Sequence, residues 1–553
     1  MQDGRSNQWP QRIALCLLAT LTVTGISLHL ARLHKRLLNY PYYDDVAYFD
    51  DGWEKLAAYR AGGIAALIKS CTRPPPHSPF STGLAMAAFA VFGRHEWPPY
   101  HGNGSVVPVW GPYAANGIIV LFLFLCVDWL MGPDRPWWQR GLVLLMVAVT
   151  RLPADIIWNF KPDAFWGIVT AAAVVAALRR PCGKGRHAAL AGLLFGMALM
   201  AKPSISPLTI AVFFVTLFFW VIALRRENPE GGLMPMVRPL AICAATAIFI
   251  CAPYIAVGGV TATYDYTFKN VLGESRQRWV LPLSPWGHAT YFLFGDGGMQ
   301  IIGLPFAVFF ALLAVGFVRM RKVWRSLPNG GGVRIFGMTA AALVAYGVPT
   351  LETVKNQRFG VAFQSLVIFG AVMVLAGELR GWSKFGVKLL IGAAAACVIL
   401  AIIPVNDHHR AEYWMSKNDP EVMGLNRLAE RIYGDLHGVK VKSGDRTQVL
   451  LGVMDKAVNP ATMQWLAYGD RPFNMLNPPD WGNPQSEAAA IRITHVFVTA
   501  DPDDAPPDKA DLIGPATERR LANEFLHRDD FRLIDSYRAF NGKTYYVFER
   551  LGI

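Results

Sequence analysis

Seven long segments of this chain contain almost no charged residue. They are Ile13–Leu30, Pro112–Met131, Leu208–Leu224, Pro239–Val257, Met299–Val318, Val361–Ala376 and Leu389–Ile403. A run of about 17–25 apolar residues can cross the hydrocarbon core of a bilayer as a helix. One such run could be a signal peptide or a buried helix, but seven predict a polytopic α-helical membrane protein. Basic residues and no small-residue cleavage site follow the first run, so we expect it to be retained as a span.

Shorter apolar runs between these segments raise the predicted number of membrane helices to about 11–13. We place spans near residues 13–30, 80–93, 112–131, 141–157, 164–178, 187–201, 204–224, 239–257, 299–318, 335–350, 360–377 and 386–403. The run Phe80–Phe92 covers only about half to two-thirds of a bilayer crossing at 1.5 Å per residue. It therefore either does not span or continues into part of Gly93–Gly111.

The positive charges gather in short loops between the spans. The formal net charge is +13, although only 17% of the residues are charged. The basic residues of these loops are Arg179, Arg180, Lys184, Arg186, Arg225, Arg226, Arg238, Arg319, Arg321, Lys322, Arg325, Arg334, Arg380, Lys384 and Lys388. Cytoplasmic loops of membrane proteins carry such an excess, so the pattern argues against a nucleic-acid partner. The large loops 32–79 and 258–298, and the region after Ile403, are then predicted to face outward.

The composition changes after the last apolar run. Residues 404–553 are polar, contain proline-rich turns, and combine helix-like with strand-like runs. The strand-like runs are Gln448–Met454, Thr494–Thr499, Phe531–Tyr537 and Thr544–Phe548. A segment of about 150 residues is long enough for an independent domain. We therefore predict a transmembrane domain over residues 1–403 and a soluble extracytoplasmic α/β domain over residues 404–553.

The first outer loop holds a cluster of acidic residues just beyond the first span. Asp44 and Asp45 precede Tyr48, and a second pair, Asp50 and Asp51, follows. Clustered carboxylates raise each other's pKa unless a cation or hydrogen-bond donors intervene. One carboxylate can accept the proton of an attacking hydroxyl group, and another can hold a divalent cation beside a leaving phosphate. The alternative is an acidic helix cap followed by a solvated turn.

Two lysine–proline turns separate apolar runs further along the chain. Lys161-Pro162-Asp163 is the first, and Lys202-Pro203 is the second. The lysines are either interfacial anchors that reach for water or ligands of a lipid phosphate, which an ammonium group binds as a point charge. Both turns are predicted on the side of the acidic loop, where Asp163 adds a further carboxylate.

Other charged residues lie at or near the predicted outer face. His77 belongs to a proline-rich helix entry, where it either only precedes the helix or approaches a phosphate. Arg276 lies in the second large loop, which is either an ordinary solvated loop or a lid that brings an arginine to a phosphate. Arg358 is a similar candidate in the next outer turn. Arg151 and Asp155 are four residues apart on one helical face and can pair with each other.

Four short motifs follow one another in an order that resembles the GT-C superfamily of membrane glycosyltransferases. The resemblance is to its bacterial RgtA/B/C/D-like and protein-mannosyltransferase (family 39)-like group. The motifs are Asp44-Asp45-x-x-Tyr48, His77-Ser78-Pro79-Phe80, Lys161-Pro162-Asp163, and Gly192–Met200 running into Lys202-Pro203. They cover residues 1–225, and beyond them only the architecture agrees. Ser78 stands where the family usually has proline, and the second aspartate pair leaves open which carboxylates are catalytic.

The resemblance implies an inverting glycosyltransferase that uses a polyprenyl-phosphate-linked sugar on the periplasmic face of a bacterial inner membrane. The acceptor would be a lipid, a polysaccharide or a protein. By analogy, Asp44 is the base, and Asp45 or Asp163 supports a divalent cation, Mg or Mn. Lys161 and Lys202 would hold the carrier phosphate. His77 and Arg276 are further candidates for that phosphate.

The alternative class is a secondary transporter or a flippase for lipid-linked sugars. Such carriers often have two similar halves and bind their substrate near the middle of the bilayer. The two halves of this chain do not look alike, and its acidic residues collect at one face. The sequence therefore favours an enzyme whose transmembrane domain is catalytic.

Overall fold

A computed structural model describes most of the membrane helices and much of the C-terminal region. The described residues are 8–33, 43–71, 78–93, 110–179, 185–227, 232–268, 283–293, 303–323, 331–352, 357–378, 384–402, 428–429, 431–436, 438–439, 446–453, 458–460, 462–463, 473–476, 479, 481–501, 513, 515–539 and 542–552. Of the predicted site residues, His77 and Arg276 lie outside these ranges, and Asp44 is described by its backbone alone.

The described part of the chain up to residue 402 is almost entirely helical. Its α-helices are α1 Gln8–Leu33, α2 Tyr43–Ser70, α3 Pro79–Phe92, α4 Gly111–Ala115, α5 Gly117–Met131, α6 Trp137–Ala148, α7 Arg151–Trp158, α8 Asp163–Leu178, α9 Gly185–Ala201, α10 Ser206–Glu227, α11 Met234–Ala256, α12 Gly259–Thr267, α13 Pro285–Thr290, α14 Phe306–Val323, α15 Gly331–Leu351, α16 Val361–Glu378 and α17 Lys384–Ile402. Two 3-10 helices, Pro203–Ile205 and Gln357–Gly360, precede α10 and α16.

The positions of the apolar helices agree with the predicted spans. Within the described residues, seven stretches are long and apolar enough to cross a membrane, and the pair α6–α7, bent by 61°, is an eighth if counted as one span. Shorter apolar helices lie at the remaining predicted spans, namely α3, α8, α9 and the first part of α14. A described helix thus lies in every predicted span, although α14 begins only at Phe306 in the span predicted at 299–318, and the prediction of a multi-pass integral membrane protein is confirmed.

Helix α8 is buried along its whole length and packs against α9 and α16. Small residues allow this, since they let membrane helices approach closely. At Gly167 an added Cβ would lie 2.8 Å from the backbone nitrogen of Ala362. At Gly192, where α9 packs on α11, an added Cβ would collide with the carbonyl oxygen of Cys243. Close packing of α8 on its neighbours thus determines which helix ends lie near its first residue, Asp163.

The C-terminal region forms a five-stranded mixed sheet with strand order β2-β1-β3-β5-β4. The elements are β1 Thr447–Leu451, β2 Phe473–Met475, α18 Pro484–Arg492, β3 Val496–Asp501, α19 Pro515–Leu526, β4 Phe531–Arg538 and β5 Thr544–Arg550. Strands β2, β1 and β3 are parallel, and β5 and β4 complete the sheet in antiparallel order. Leu450, Phe497 and Phe525 lie at the centre of its apolar core. The predicted α/β fold of this region is confirmed.

The chain divides into two compact units. The first consists of Met1–Leu28, Gly52–Ala90 and Pro112–Asn406. The second consists of His29–Asp51, Val91–Gly111 and Asp407–Ile553. The beginning of the first outer loop, with its aspartates, therefore belongs to the same unit as the C-terminal sheet, whereas both lysine–proline turns belong to the first unit.

Candidate functional site

The turn between α7 and α8 brings Lys161 and Asp163 to one end of the first unit. The amide of Lys161 donates to the carbonyl of Asn159 at 3.0 Å, and α8 begins at Asp163. Asn116, in the break between α4 and α5, donates its Nδ2 to the carbonyls of Ile156 at 2.7 Å and Asn159 at 3.1 Å. The buried side-chain amide of Asn116 thus stabilises the turn between α7 and α8. The first turn of α8 also favours the negative charge of Asp163 through the helix dipole.

The second lysine–proline turn lies against the first one. Lys202 follows the last residue of α9 with φ of −146° and ψ of 82°, outside the helical region that a following proline disfavours. Its Nζ atom contacts a carboxylate oxygen of Asp163 in a largely buried ion pair. The same Nζ atom lies 5.0 Å from the centre of the Phe359 ring. The structure therefore brings together Asp163 and Lys202, two residues from separate predicted motifs.

A third segment, the 3-10 helix Gln357–Gly360, adds Arg358 to this group. One guanidinium nitrogen of Arg358 lies 3.7 Å from a carboxylate oxygen of Asp155. Asp155 also accepts a hydrogen bond of 2.9 Å from the side chain of Asn159. The structure gives Asp155 the partners Asn159 and Arg358, and the pairing of Asp155 with Arg151 stays a prediction. Arg358 is only 4% exposed, so its charge is directed inward.

Five charged side chains thus share one region of the first unit. We name them the charge cluster, which consists of Asp155, Asp163, Lys161, Lys202 and Arg358. Asp155 interacts electrostatically with Arg358, Asp163 and Lys161, and Asp163 with Lys202, Arg358 and Lys161. The cluster thus contains three cations and two carboxylates. Its cations can attract an anionic group.

The surroundings of Asp163 do not fit a divalent cation. A lysine ammonium occupies one carboxylate oxygen, and two further cations act on the same group. Among the residues that the structure describes, no group of three or more His, Cys, Asp or Glu side chains could hold a metal ion. Support of Mg or Mn by Asp45 or Asp163 stays a prediction, and the function proposed below uses no metal-dependent step.

The acidic cluster of the first outer loop lies at the beginning of α2. Asp44 and Asp45 are in its first turn, and Asp45 is completely buried. Asp51 is seven residues after Asp44 in the same helix, as the sequence suggested for a shared face. Since these aspartates belong to the second unit and the lysines to the first, their predicted convergence on one pocket stays a prediction.

Two members of this site were difficult to foresee. Asn116 is not among the site residues predicted from the sequence, although a polar residue inside an apolar run usually has a functional or structural partner. Asp155 was noticed, but with a partner on its own helix. In both cases the signal is the same: a hydrogen-bonding or charged side chain within a membrane span needs a partner, and local spacing does not reveal it.

Comparison with known proteins gives a fold but no close relative. No family model and no curated protein matches this chain. The crystal structure of ArnT from Cupriavidus metallidurans bound to undecaprenyl phosphate is similar at 14% identity, with 97% of each chain covered and a TM-score of 0.52. Its apo state matches at 14% identity, with the same coverage and a TM-score of 0.53. The oligosaccharyltransferase of Archaeoglobus fulgidus, solved with Zn and sulfate, matches at 12% identity over 88% of this chain and 68% of that chain, with a TM-score of 0.45.

The likeness to ArnT extends over nearly the whole of both chains, the membrane helices and the C-terminal domain included. At this identity it establishes the fold. The chain therefore has the fold of the GT-C glycosyltransferases, as its four motifs suggested. The comparison does not extend to the reaction, which has to be argued from the charge cluster.

Proposed function

We propose that this protein is a membrane glycosyltransferase that moves a sugar from a polyprenyl-phosphate carrier to an acceptor hydroxyl on the outer face of the membrane. The acceptor is a lipid, a polysaccharide or a protein. The observation that carries the proposal is the charge cluster, in which lysines from two proline turns and a buried arginine meet at one end of the membrane helices.

A phosphodiester between a sugar and a polyprenol is an anion, which the three cations of the cluster can attract. Its lipid tail would remain in the bilayer, so only the head group has to reach the charged residues. The structural neighbour ArnT was solved with undecaprenyl phosphate, the phosphomonoester that such a donor would release on transfer of its sugar. Lys161 and Lys202 are the groups that we assign to the phosphate, because an ammonium on a flexible stem can follow a phosphate oxygen.

The reaction that we propose is a single displacement. The oxygen of the acceptor hydroxyl attacks the anomeric carbon while the bond from that carbon to the phosphate oxygen breaks. The carrier leaves as polyprenyl phosphate, and the hydroxyl proton passes to Asp44 as the general base. Positive charges placed in advance stabilise the leaving phosphate, which is where negative charge develops in the transition state. A single displacement inverts the configuration of the sugar.

Asp163 has a supporting role in this scheme. Its carboxylate holds Lys202 in the space between α8 and α9, so that the ammonium is placed before the donor arrives. Such preorganisation reduces the reorganisation needed in the transition state. Asp45, His77 and Arg276 are further proposed contacts of the donor head group.

Binding of the carrier lipid is the most direct test. Full-length protein in lipid nanodiscs should bind undecaprenyl phosphate, measured by native mass spectrometry, and should bind undecaprenol much more weakly, because the alcohol lacks the phosphate. Lys202→Met should reduce the difference between the two lipids by at least about tenfold, which corresponds to about 1.4 kcal/mol. Equal binding of both lipids by the unmodified protein would remove the basis of the proposal.

The transfer step requires its own experiment. Lipids and glycans of cells that lack the protein should miss one sugar, detected by mass spectrometry, and the unmodified gene should restore it. Asp44→Ala should fail to restore the sugar although the protein accumulates in the membrane. Asp134→Ala, at an exposed aspartate between α5 and α6, is the matched control and should restore it. Restoration by Asp44→Ala would reject the assignment of the base.

A further inference from the structure

Arg358 lies in a segment that contacts both ion pairs of the charge cluster. In the 3-10 helix Gln357–Gly360, the guanidinium faces Asp155, and the ring of the next residue, Phe359, lies beside the ammonium of Lys202. The segment has little room to move, because an added Cβ at Gly360 would lie 2.7 Å from the ring of Phe292. One short, tightly packed element therefore connects the two carboxylates of the cluster with its central lysine.

The proposed function creates a difficulty for Asp163. This carboxylate is 4% exposed, and Lys202 is its partner in the structure. If Lys202 turns to the phosphate of the donor, Asp163 loses its partner while it remains buried. A buried charge whose partner is removed is strongly destabilising. Asp163 would then oppose donor binding, unless a second cation is close enough to compensate its negative charge.

We propose that Arg358 is a positioning residue that becomes the ion-pair partner of Asp163 when Lys202 binds the donor phosphate. This inference rests on the proposed function. Arginine suits the task because its guanidinium has five donors in a planar fork and can serve two carboxylates at once. One edge keeps Asp155, which Asn159 also holds at 2.9 Å, while the other edge serves Asp163. The exchange changes hydrogen-bond partners and breaks no covalent bond.

The electrostatic interactions within the cluster support this exchange. Arg358 acts on Asp163 together with Lys202 and Lys161. Arg358 also acts on Asp155, so a single guanidinium already influences both carboxylates. Because Asp155 is on α7 and Asp163 begins α8, the arginine is close to the turn from which Lys161 extends. A guanidinium that already acts on both carboxylates can compensate Asp163 without leaving the cluster.

A double-mutant cycle on carrier binding tests this proposal. Undecaprenyl phosphate is titrated into full-length protein in nanodiscs, for the unmodified protein, Arg358→Gln, Asp163→Asn and the double variant. Arg358→Gln should weaken binding at least about tenfold, a change of about 1.4 kcal/mol. In the Asp163→Asn background the same substitution should change binding less than about twofold, because a neutral asparagine needs no compensating cation. Such non-additivity is the measure of coupling between neighbouring residues.

A merely structural role of Arg358 gives a different pattern. Removal of the arginine would then weaken binding equally in both backgrounds, and that result would overturn the proposal. Arg358→Lys keeps the positive charge but lacks the planar fork, so it should weaken binding less than Arg358→Gln, and a loss as large as that of Arg358→Gln would contradict the proposal. If the glutamine variant does not fold, Arg358→Lys takes its place in the cycle and should weaken binding only in the background that keeps Asp163. Arg519→Gln, at a half-exposed arginine of the C-terminal domain, is the matched control.

The two proposals fail in different ways in this experiment. If the unmodified protein does not distinguish undecaprenyl phosphate from undecaprenol, the proposed function fails, and the role of Arg358 fails with it. If the unmodified protein binds the phosphate but the effects of Asp163→Asn and Arg358→Gln are additive, only the role of Arg358 is overturned.

Discussion

Replacing Lys202 by methionine tests how strongly the ion pair with Asp163 holds the site together. Methionine keeps most of the length of the side chain and removes its charge. Asp163 is 4% exposed and would remain in place without its ammonium partner. Breaking a buried pair in this way costs about 3–5 kcal/mol of unfolding free energy. Because Arg358 and Lys161 also act on Asp163, we expect a loss near the lower end, about 3 kcal/mol.

The double variant Asp163→Asn/Lys202→Met gives the reference for this loss. It removes both charges, so no buried charge remains without a partner, and replacement of a buried pair by neutral residues is often close to neutral. We expect a loss of about 1 kcal/mol or less, which is about 2 kcal/mol smaller than the loss in the single variant. The double variant should therefore be more stable than the single one, although it has more substitutions.

The cysteines of the chain provide the assay. Five of them are buried in the membrane helices and become reactive on unfolding, namely Cys16, Cys126, Cys243, Cys251 and Cys397. Thermal unfolding in detergent can thus be followed with a thiol-reactive fluorescent dye, after replacement by serine of the exposed Cys71 and of Cys182, which lies outside the described residues. Lys388→Met, at an exposed lysine of α17, is the control for the loss of a surface charge. Equal midpoints for the single and the double variant would refute the reasoning, because Asp163 would then not depend on Lys202.

Three further predictions concern packing, the α7–α8 turn and the C-terminal domain. Gly192→Ala should destabilise the protein by about 1–3 kcal/mol in the same assay, because its methyl group meets a carbonyl of α11, whereas Gly392→Ala, with open space around it, should not. Asn116→Ala should speed hydrogen exchange in the turn that carries Lys161, measured by mass spectrometry, since two carbonyls lose their donor. Hydrogen bonds from Arg528 hold the pKa of Asp530 below its ordinary value. The stability that Asp530 adds is therefore present above its unfolded pKa, about 3.9, and is lost as the pH falls through the lower folded pKa. Asp530→Asn should flatten this acid dependence, read from pulse-labelling hydrogen exchange of β4.

Much of the architecture could be predicted from local patterns. A described helix lies in every predicted span, and the strand-like runs of the C-terminal region coincide with β1, β3, β4 and β5 to within three residues. The physical reason is that a bilayer core offers no water to the backbone, so a long apolar run has the helix as its only way to satisfy its own amide groups. Strand positions follow in the same way from the period of two in half-buried sheets.

The grouping of elements into compact units could not be predicted from local sequence patterns. The beginning of the first outer loop belongs with the C-terminal sheet, although hundreds of residues separate them in the chain. The pattern of apolar and polar residues in residues 29–51 does not predict this association with the C-terminal sheet. It depends on the shape and the packing of surfaces that exist only after both parts have folded.

The charge cluster shows the same division in its individual residues. Sequence patterns identified Lys161, Asp163 and Lys202 as unusual, because charged residues next to membrane spans are costly and need a reason. They did not reveal that Lys202 pairs with Asp163, or that Asp155 faces Arg358. Hydropathy along the chain predicts which segments enter the bilayer. The partner of a buried charge depends instead on tertiary packing, because close contact between small residues determines which helix ends lie together.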